Sequence, residues 1–267
     1  MRSVLGIDAA WTVTQPSGIA LAVNRSDGWQ LAAVEPSYSD FEGLADSQIA
    51  VGRRPVGSTP EPSTLLKASS SLLRDGKVDL VAIDIPLART PICGRRAADN
   101  AVSKVYGGKK KCGTHSPTKT RPGEISRVLQ EGFAARGYPL LTQTAIPPGL
   151  IEVYPHPALL ELAQEPERLP YKIAKVRNYW PSCSPDERRL RLFEQWTKIR
   201  ELLEGRVKGV KSALPELRAD MSGTELKAYE DMLDAIVCVW VGICALDGHA
   251  TPFGDRDSAI WIPAGAW

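Results

Sequence analysis

Val4-Leu5-Gly6-Ile7-Asp8 is a continuous apolar run closed by a carboxylate. A run of this length without polar alternation predicts a strand covered on both faces. Working outward, residues 17–23 read as a second strand and 29–34 as a third, joined by the turn Asn24-Arg25-Ser26-Asp27-Gly28. The short connections make an antiparallel meander. A Gly-, Pro- and Ser-rich loop follows over 51–62, then a helix over 63–74 stopped by Asp75-Gly76. Residues 78–84 predict a fourth strand, ended by Pro86. A strand that returns after a helical crossover is usually parallel to its predecessor.

Beyond Leu87 the pattern changes. Residues 88–123 lack clean periodicity and carry Gly107-Gly108 and Lys109-Lys110-Lys111; they read as a long basic loop with one short helix over 97–105. Helices are expected over 124–136 and 157–164, with a fifth strand over 149–154 between them. Residues 170–215 are charged and mostly helical, clearest over 185–204, and read as an insertion or lid. Residues 223–246 form a long helix that turns apolar on every side, which implies burial. Residues 259–262 are a candidate for a last short strand. The expectation is one α/β domain over 1–267, built on a five-stranded mixed sheet whose first three strands are antiparallel.

The chain has 267 residues, 43% of them hydrophobic, which suffices for a sizeable core. Its formal charge of +2 hides an asymmetry. Residues 87–127 hold ten Lys or Arg against two acids, so the remainder carries a net charge of about six negative. A basic belt beside an acidic cluster suits nucleic acid, with cations for phosphates and carboxylates for metals; an exposed, solvated basic loop is the simpler alternative. Five cysteines, an odd number at irregular spacing, predict no disulfide framework. The N-terminal run is too short and too acidic for a signal peptide, and no stretch reaches the length of a membrane span. A cytoplasmic protein is the expectation.

Four acidic positions close or open these core elements: Asp8, Asp84, Glu152, and the pair Asp231 and Asp234 on the long helix. A carboxylate at the end of a buried strand is costly without a counter-charge or a hydrogen-bond donor. Several together call for a cation, and hard oxygen ligands suit Mg2+ or Mn2+. Residues three apart on a helix share a face, so Asp231 and Asp234 point together. Each acid also has a structural reading: Asp8 as a turn cap, Asp84 as a loop acceptor, Asp231 as a helix N-terminal charge, and Glu152 as a salt-bridge partner of the basic loop.

The segments Gly6-Ile7-Asp8, Ala82-Ile83-Asp84-Ile85-Pro86-Leu87, Glu152-Val153-Tyr154-Pro155 and Asp231-Met232-Leu233-Asp234-Ala235 together resemble the predicted ribonuclease H-like nucleases, a large prokaryotic family. The element order is that of the ribonuclease H-like fold. Within the superfamily the layout is similar to Holliday-junction resolvases of the bacterial type, with Asp8, Asp84, Asp231 and Asp234 at matching positions. Asp84 stands where those resolvases have Glu, and Glu152 follows the family's fifth-strand motif instead. The resemblance implies metal-dependent phosphodiester hydrolysis on DNA or RNA. Asp8, Asp84, Asp231 and Asp234 would be metal ligands, Glu152 would share in catalysis, and a homodimer is expected. Two ions about 3.5–4 Å apart would activate the water and stabilise the leaving oxygen.

Arg95, Arg96, Lys109, Lys110, Lys111, Lys119 and Arg121 are the candidates for phosphate contacts, which position a strand without reading its sequence. Tyr106 is a candidate for base stacking, with packing as the simpler role, and His156, beside the fifth-strand motif, for a proton shuttle, with a satisfied loop histidine as the simpler role. Two other functions compete. One is an actin-like ATP-dependent phosphotransferase, which also begins with a Gly-Ile-Asp strand. The other is a nucleic-acid-binding or scaffold protein of the same fold without turnover.

Overall fold

The computed structural model describes residues 2–45 and 54–264. The start of the expected loop over 51–62 therefore lies outside the described residues. The expected meander is present as β1 (Ser3–Asp8), β2 (Gly18–Arg25) and β3 (Gly28–Glu35). Each neighbouring pair is antiparallel. A short helix, α1 (Tyr38–Ala45), follows and was not anticipated; its polar residues mask a stripe in which Tyr38 and Phe41 are buried. Helix α2 (Pro62–Leu72) leads to β4 (Leu80–Asp84), which runs parallel to β1 with Asp8 directly opposite Asp84.

The stretch 88–123 contains α3 (Ala97–Tyr106), close to its expected bounds, and α4 (Glu124–Ala134) comes after it. Strand β5 (Gly149–Val153) lies parallel to β4, and α5 (Pro155–Ala163) starts on a proline. The short α6 (Val176–Tyr179) precedes α7 (Pro185–Glu204). Helix α7 opens on a reciprocal cap in which the Ser184 hydroxyl accepts from Glu187 N–H and the Glu187 carboxylate accepts from Ser184 N–H. Helices α8 (Val210–Ala213) and α9 (Gly223–Leu246) follow, then the hairpin β6 (Ala250–Gly254) and β7 (Ala259–Pro263).

The sheet is mixed and seven-stranded, in the order β3-β2-β1-β4-β5-β7-β6, so the expectation of five strands is corrected. Strand β7 pairs parallel to β5 and β6 closes the edge. Strand β6 reads Ala-Thr-Pro-Phe-Gly, a composition that resembles a turn. Proline is tolerated there because an edge strand leaves one row of backbone groups unpaired.

Helices cover both faces of the sheet. Leu5, Ile7, Val81 and Ile83 pack on one side with Phe41, Leu65, Leu129 and Phe133. Val4, Ala82, Ile151 and Val153 pack on the other with α5, α7 and α9. The expected lid is thus part of the main core. Trp196 of α7 stacks on Tyr229 of α9 at 4.9 Å between ring centroids, and its indole N–H donates to the Tyr171 carbonyl at 2.8 Å.

Helix α9 sits unusually close to β1 and β2. A Cβ on Gly6 would lie 2.3 Å from the Ala235 carbonyl oxygen, and one on Gly18 would lie 2.1 Å from that of Asp231. Only glycine permits this approach, and the approach carries the acids of α9 to the ends of β1 and β4.

Candidate active site

Side chains alternate along a strand, so Asp8 shares the face of Val4 and Gly6, and Asp84 that of Leu80 and Ala82. Both acids therefore face α9. The helix brings Asp231, which is 3% exposed, and Asp234, which is 0% exposed, over the same strand ends. Asp231 lies near enough to Asp8 for its charge to raise the Asp8 pKa. Of the five predicted acids, these four are brought together.

Glu152 is set apart by register. It pairs with Ile83 rather than with Asp84, which turns its side chain to the opposite face of the sheet. There it meets the buried guanidinium of Arg96 in a two-pronged ion pair at 2.5 and 2.7 Å. It also accepts the Leu87 N–H at 2.7 Å. Arg96 spends its remaining donors on Asp99 and the Leu87 carbonyl. The expected salt bridge between Glu152 and the basic stretch is thus present and buried.

The charge of the acid cluster is partly met by lysines that the sequence reading did not single out. Lys172 binds Asp234 and reaches Glu230 at 3.3 Å. Lys227, one turn before Asp231 on α9, binds Asp231. Asp234 also accepts the Tyr171 hydroxyl at 2.8 Å, so both its oxygens have donors. Lys227 could have been found from its i,i+4 spacing to Asp231. Lys172 had no local signal, since 62 residues separate it from Asp234.

The remaining carboxylates are less well served. The Asp231 Oδ2 atom is buried and has no hydrogen-bond partner. No lysine or arginine lies within ion-pair distance of Asp8 or Asp84 among the described residues. Burial, followed by the neighbouring Asp231, pushes Asp8 up to about 7. Burial, then Asp8 and Asp234, holds Asp84 well above the usual carboxylate range. Asp231 and Asp234 rise to about 6 through burial, against the pull of Lys227 and Lys172 respectively. Asp8, Asp84 and the Asp231 Oδ2 atom are thus the carboxylate oxygens of this cluster that no lysine answers, and hard oxygen atoms of this kind are the type that a divalent cation takes. Among the described residues, however, no group of three or more His, Cys, Asp or Glu is placed so that it could hold a metal ion as it stands.

Asp8, Asp84 and Asp231 floor a cleft of about 530 Å³, bordered by Trp11, Gln15, His115, Arg121, Lys172 and Lys227. That volume falls within the range of small-ligand sites. Arg121 lies over the Trp11 ring, 5.6 Å from its centroid, and is the one predicted phosphate contact that lines this cleft. The others lie elsewhere. Arg95 ties α3 to the following loop through Asn100, Ser103 and Ser116. Lys111 pairs with Glu167 at 2.5 Å, Lys110 covers the Tyr106 ring, Lys109 is exposed, and Lys119 borders a separate cleft. Tyr106 is buried edge-on against Phe253 and has no face free for a base. His156 is buried beside the cluster, where it contacts Arg168. Burial, then Arg168, holds it well below the ordinary histidine range.

No curated protein and no solved structure matches the chain. No helix among the described residues is long and apolar enough to cross a membrane. Residues 6–259, from the middle of β1 to the start of β7, match DUF429, described as a protein of unknown function. That span includes all of the acids, lysines and cleft residues just described, and the chain belongs to the DUF429 family.

Proposed function

We propose that the protein is a divalent-metal-dependent nuclease of the ribonuclease H-like type, hydrolysing phosphodiesters of nucleic acid. The carrying observation is the convergence of Asp8, Asp84 and Asp231 at one sheet edge, with the Asp231 Oδ2 atom left without a partner. The strand order β3-β2-β1-β4-β5, antiparallel through β1 and parallel beyond it, supports the fold assignment; β7 and β6 extend that arrangement.

Asp8, Asp84 and Asp231 would hold Mg2+ or Mn2+. When bound, such an ion supplies charge for a phosphoryl oxygen and lowers the pKa of its water. Asp234, already satisfied, positions Lys172 at the edge of the cluster. Arg121 binds the phosphate backbone at the rim. His115 is held below its ordinary pKa by burial, then Lys175, and so offers a neutral, proton-accepting imidazole beside the acids at neutral pH.

A second reading, nucleic-acid binding without turnover, is favoured by one observation: Lys172 and Lys227 already sit on two of the acids. A single assay separates the readings. The protein and its Asp8→Asn variant are incubated with structured DNA and RNA in magnesium or manganese. The nuclease reading expects metal-dependent cleavage that falls about a hundredfold or more in the variant. Cleavage that survives Asp8→Asn rejects the assignment of these acids, and binding without cleavage by the wild type supports the second reading.

A further inference from the structure

A second cleft, of about 250 Å³, adjoins the acids and shares Trp11, Asp84, His115 and Lys172 with the first. Its character is different. Arg168, Lys175, His156 and Tyr154 line it, and its acids are Asp84 and Glu230. Glu230 is occupied, accepting the Ile173 N–H at 2.6 Å and facing Lys172 at 3.3 Å. Arg168 and Lys175 have no carboxylate within ion-pair distance among the described residues.

Two buried donors here are also unmatched. An arginine can only donate, so in the contact between Arg168 and His156 the Nε2 atom must accept. The His156 proton is then on Nδ1, which is buried without a partner, as is the Arg168 Nε atom. His156 is 6% exposed and wedged between the rings of Tyr154 and Tyr171, each 5.3 Å from its own centroid. It cannot swing out to reach water. A buried donor without an acceptor costs about 1–3 kcal/mol. Two cations without a carboxylate partner, one of them held by a buried histidine, and walled by a tyrosine whose hydroxyl is fixed on the Gly113 carbonyl, make this cleft a cationic pocket suited to an anion.

We propose that this cleft is a phosphate-binding subsite, built by Arg168 and Lys175 with His156 orienting the Arg168 guanidinium, for a phosphate adjacent to the one presented to the acids. The proposal rests on the nuclease reading for its substrate, though not for the binding of phosphate itself. Arginine and lysine together suit a phosphate dianion: the guanidinium supplies direction and the ammonium supplies charge. The acids take the bond to be broken, and this cleft takes the terminal or neighbouring phosphate, fixing register on a short single strand.

The test uses the intact chain carrying Asp8→Asn, so that substrate stays whole, and titration calorimetry. The probes are inorganic phosphate and a dinucleotide with or without a terminal phosphate. Saturable binding of inorganic phosphate is expected, with tighter binding of the terminally phosphorylated dinucleotide than of its dephosphorylated form. Lys175→Met, at a partly exposed position without an ion pair, should weaken both by about tenfold at an unchanged melting temperature. Arg168→Gln should weaken them further. Absence of saturable phosphate binding overturns the subsite, as does a Lys175→Met protein that binds phosphate like its parent. Phosphate binding by a wild-type protein that never cleaves nucleic acid would reject the nuclease reading alone; cleavage without phosphate binding would reject the subsite alone.

Discussion

At the scale of single residues, the site is a problem in charge. Four carboxyls share one sheet edge, and the lysines answer only Asp231 and Asp234 directly. The consequence for pH has a definite sign. Asp8, Asp231 and Asp234 bind protons more tightly in the folded chain than in the unfolded one. Between about pH 4 and about pH 7 the unfolded chain therefore ionises first at these acids, and their contribution to metal-free stability falls as pH rises, opposed only near pH 6 by His156 and His115, whose depressed values act with the opposite sign. Thermal melts in chelator should give a lower melting temperature at about pH 7.5 than at about pH 5, with magnesium restoring it at the higher pH. A pH profile that Asp8→Asn leaves unchanged, or indifference to magnesium, would contradict the account. The ion pair on the other face of the sheet makes a separate prediction. Arg96→Leu leaves Glu152 and Asp99 buried without their partner, and should cost about 3–5 kcal/mol in urea unfolding. A loss below about 1 kcal/mol would mean that Glu152 is protonated there. Asp8, Asp84, Asp231 and Asp234 were legible because strand ends and i,i+3 spacing are local signals. The face of Glu152 was not, because a one-residue difference in register reverses it and nothing in residues 149–153 states that register.

At the scale of elements, the geometry depends on how closely α9 lies on β1 and β2. Gly18 pairs with Asp8 and also touches the backbone of Asp231, so it sets the distance between the two acids. Gly18→Ala should destabilise the protein by about 1–3 kcal/mol and weaken manganese binding in the same variant. Unchanged affinity at reduced stability would uncouple the helix position from the site. The buried helix and the meander were legible because long apolar runs and short turn-rich connections are strong patterns. Helix α1 and strand β6 were not. The first is short and polar on most of its surface, and the second carries the Pro and Gly of a turn; both are held by tertiary contacts rather than by their own propensity.

At the scale of the whole molecule, the basic belt of the sequence is not one surface. Arg96 is buried, Arg95 is exposed but tied to α3 and its following loop by hydrogen bonds, and Lys111 is paired at the exterior, while Arg121 reaches the cleft. Binding of a labelled oligonucleotide to the Asp8→Asn protein should therefore fall about tenfold with Arg121→Met. It should change less than about threefold when Lys109, Lys110 and Lys111 are all replaced by serine. The reverse ranking would put the strand on the lysine-rich turn that follows α3. Local charge was readable from composition, but its partition between core, scaffold and cleft depends on contacts between distant segments.

The central claim is that Asp8, Asp84 and Asp231 jointly hold one hard cation, and manganese titration followed by electron paramagnetic resonance tests it most directly. The account predicts a saturable site in the wild-type protein that is lost in Asp8→Asn, Asp84→Asn and Asp231→Asn alike, and retained in Glu152→Gln. Manganese that fails to saturate, or that binds the three asparagine variants as it binds the parent, would contradict it.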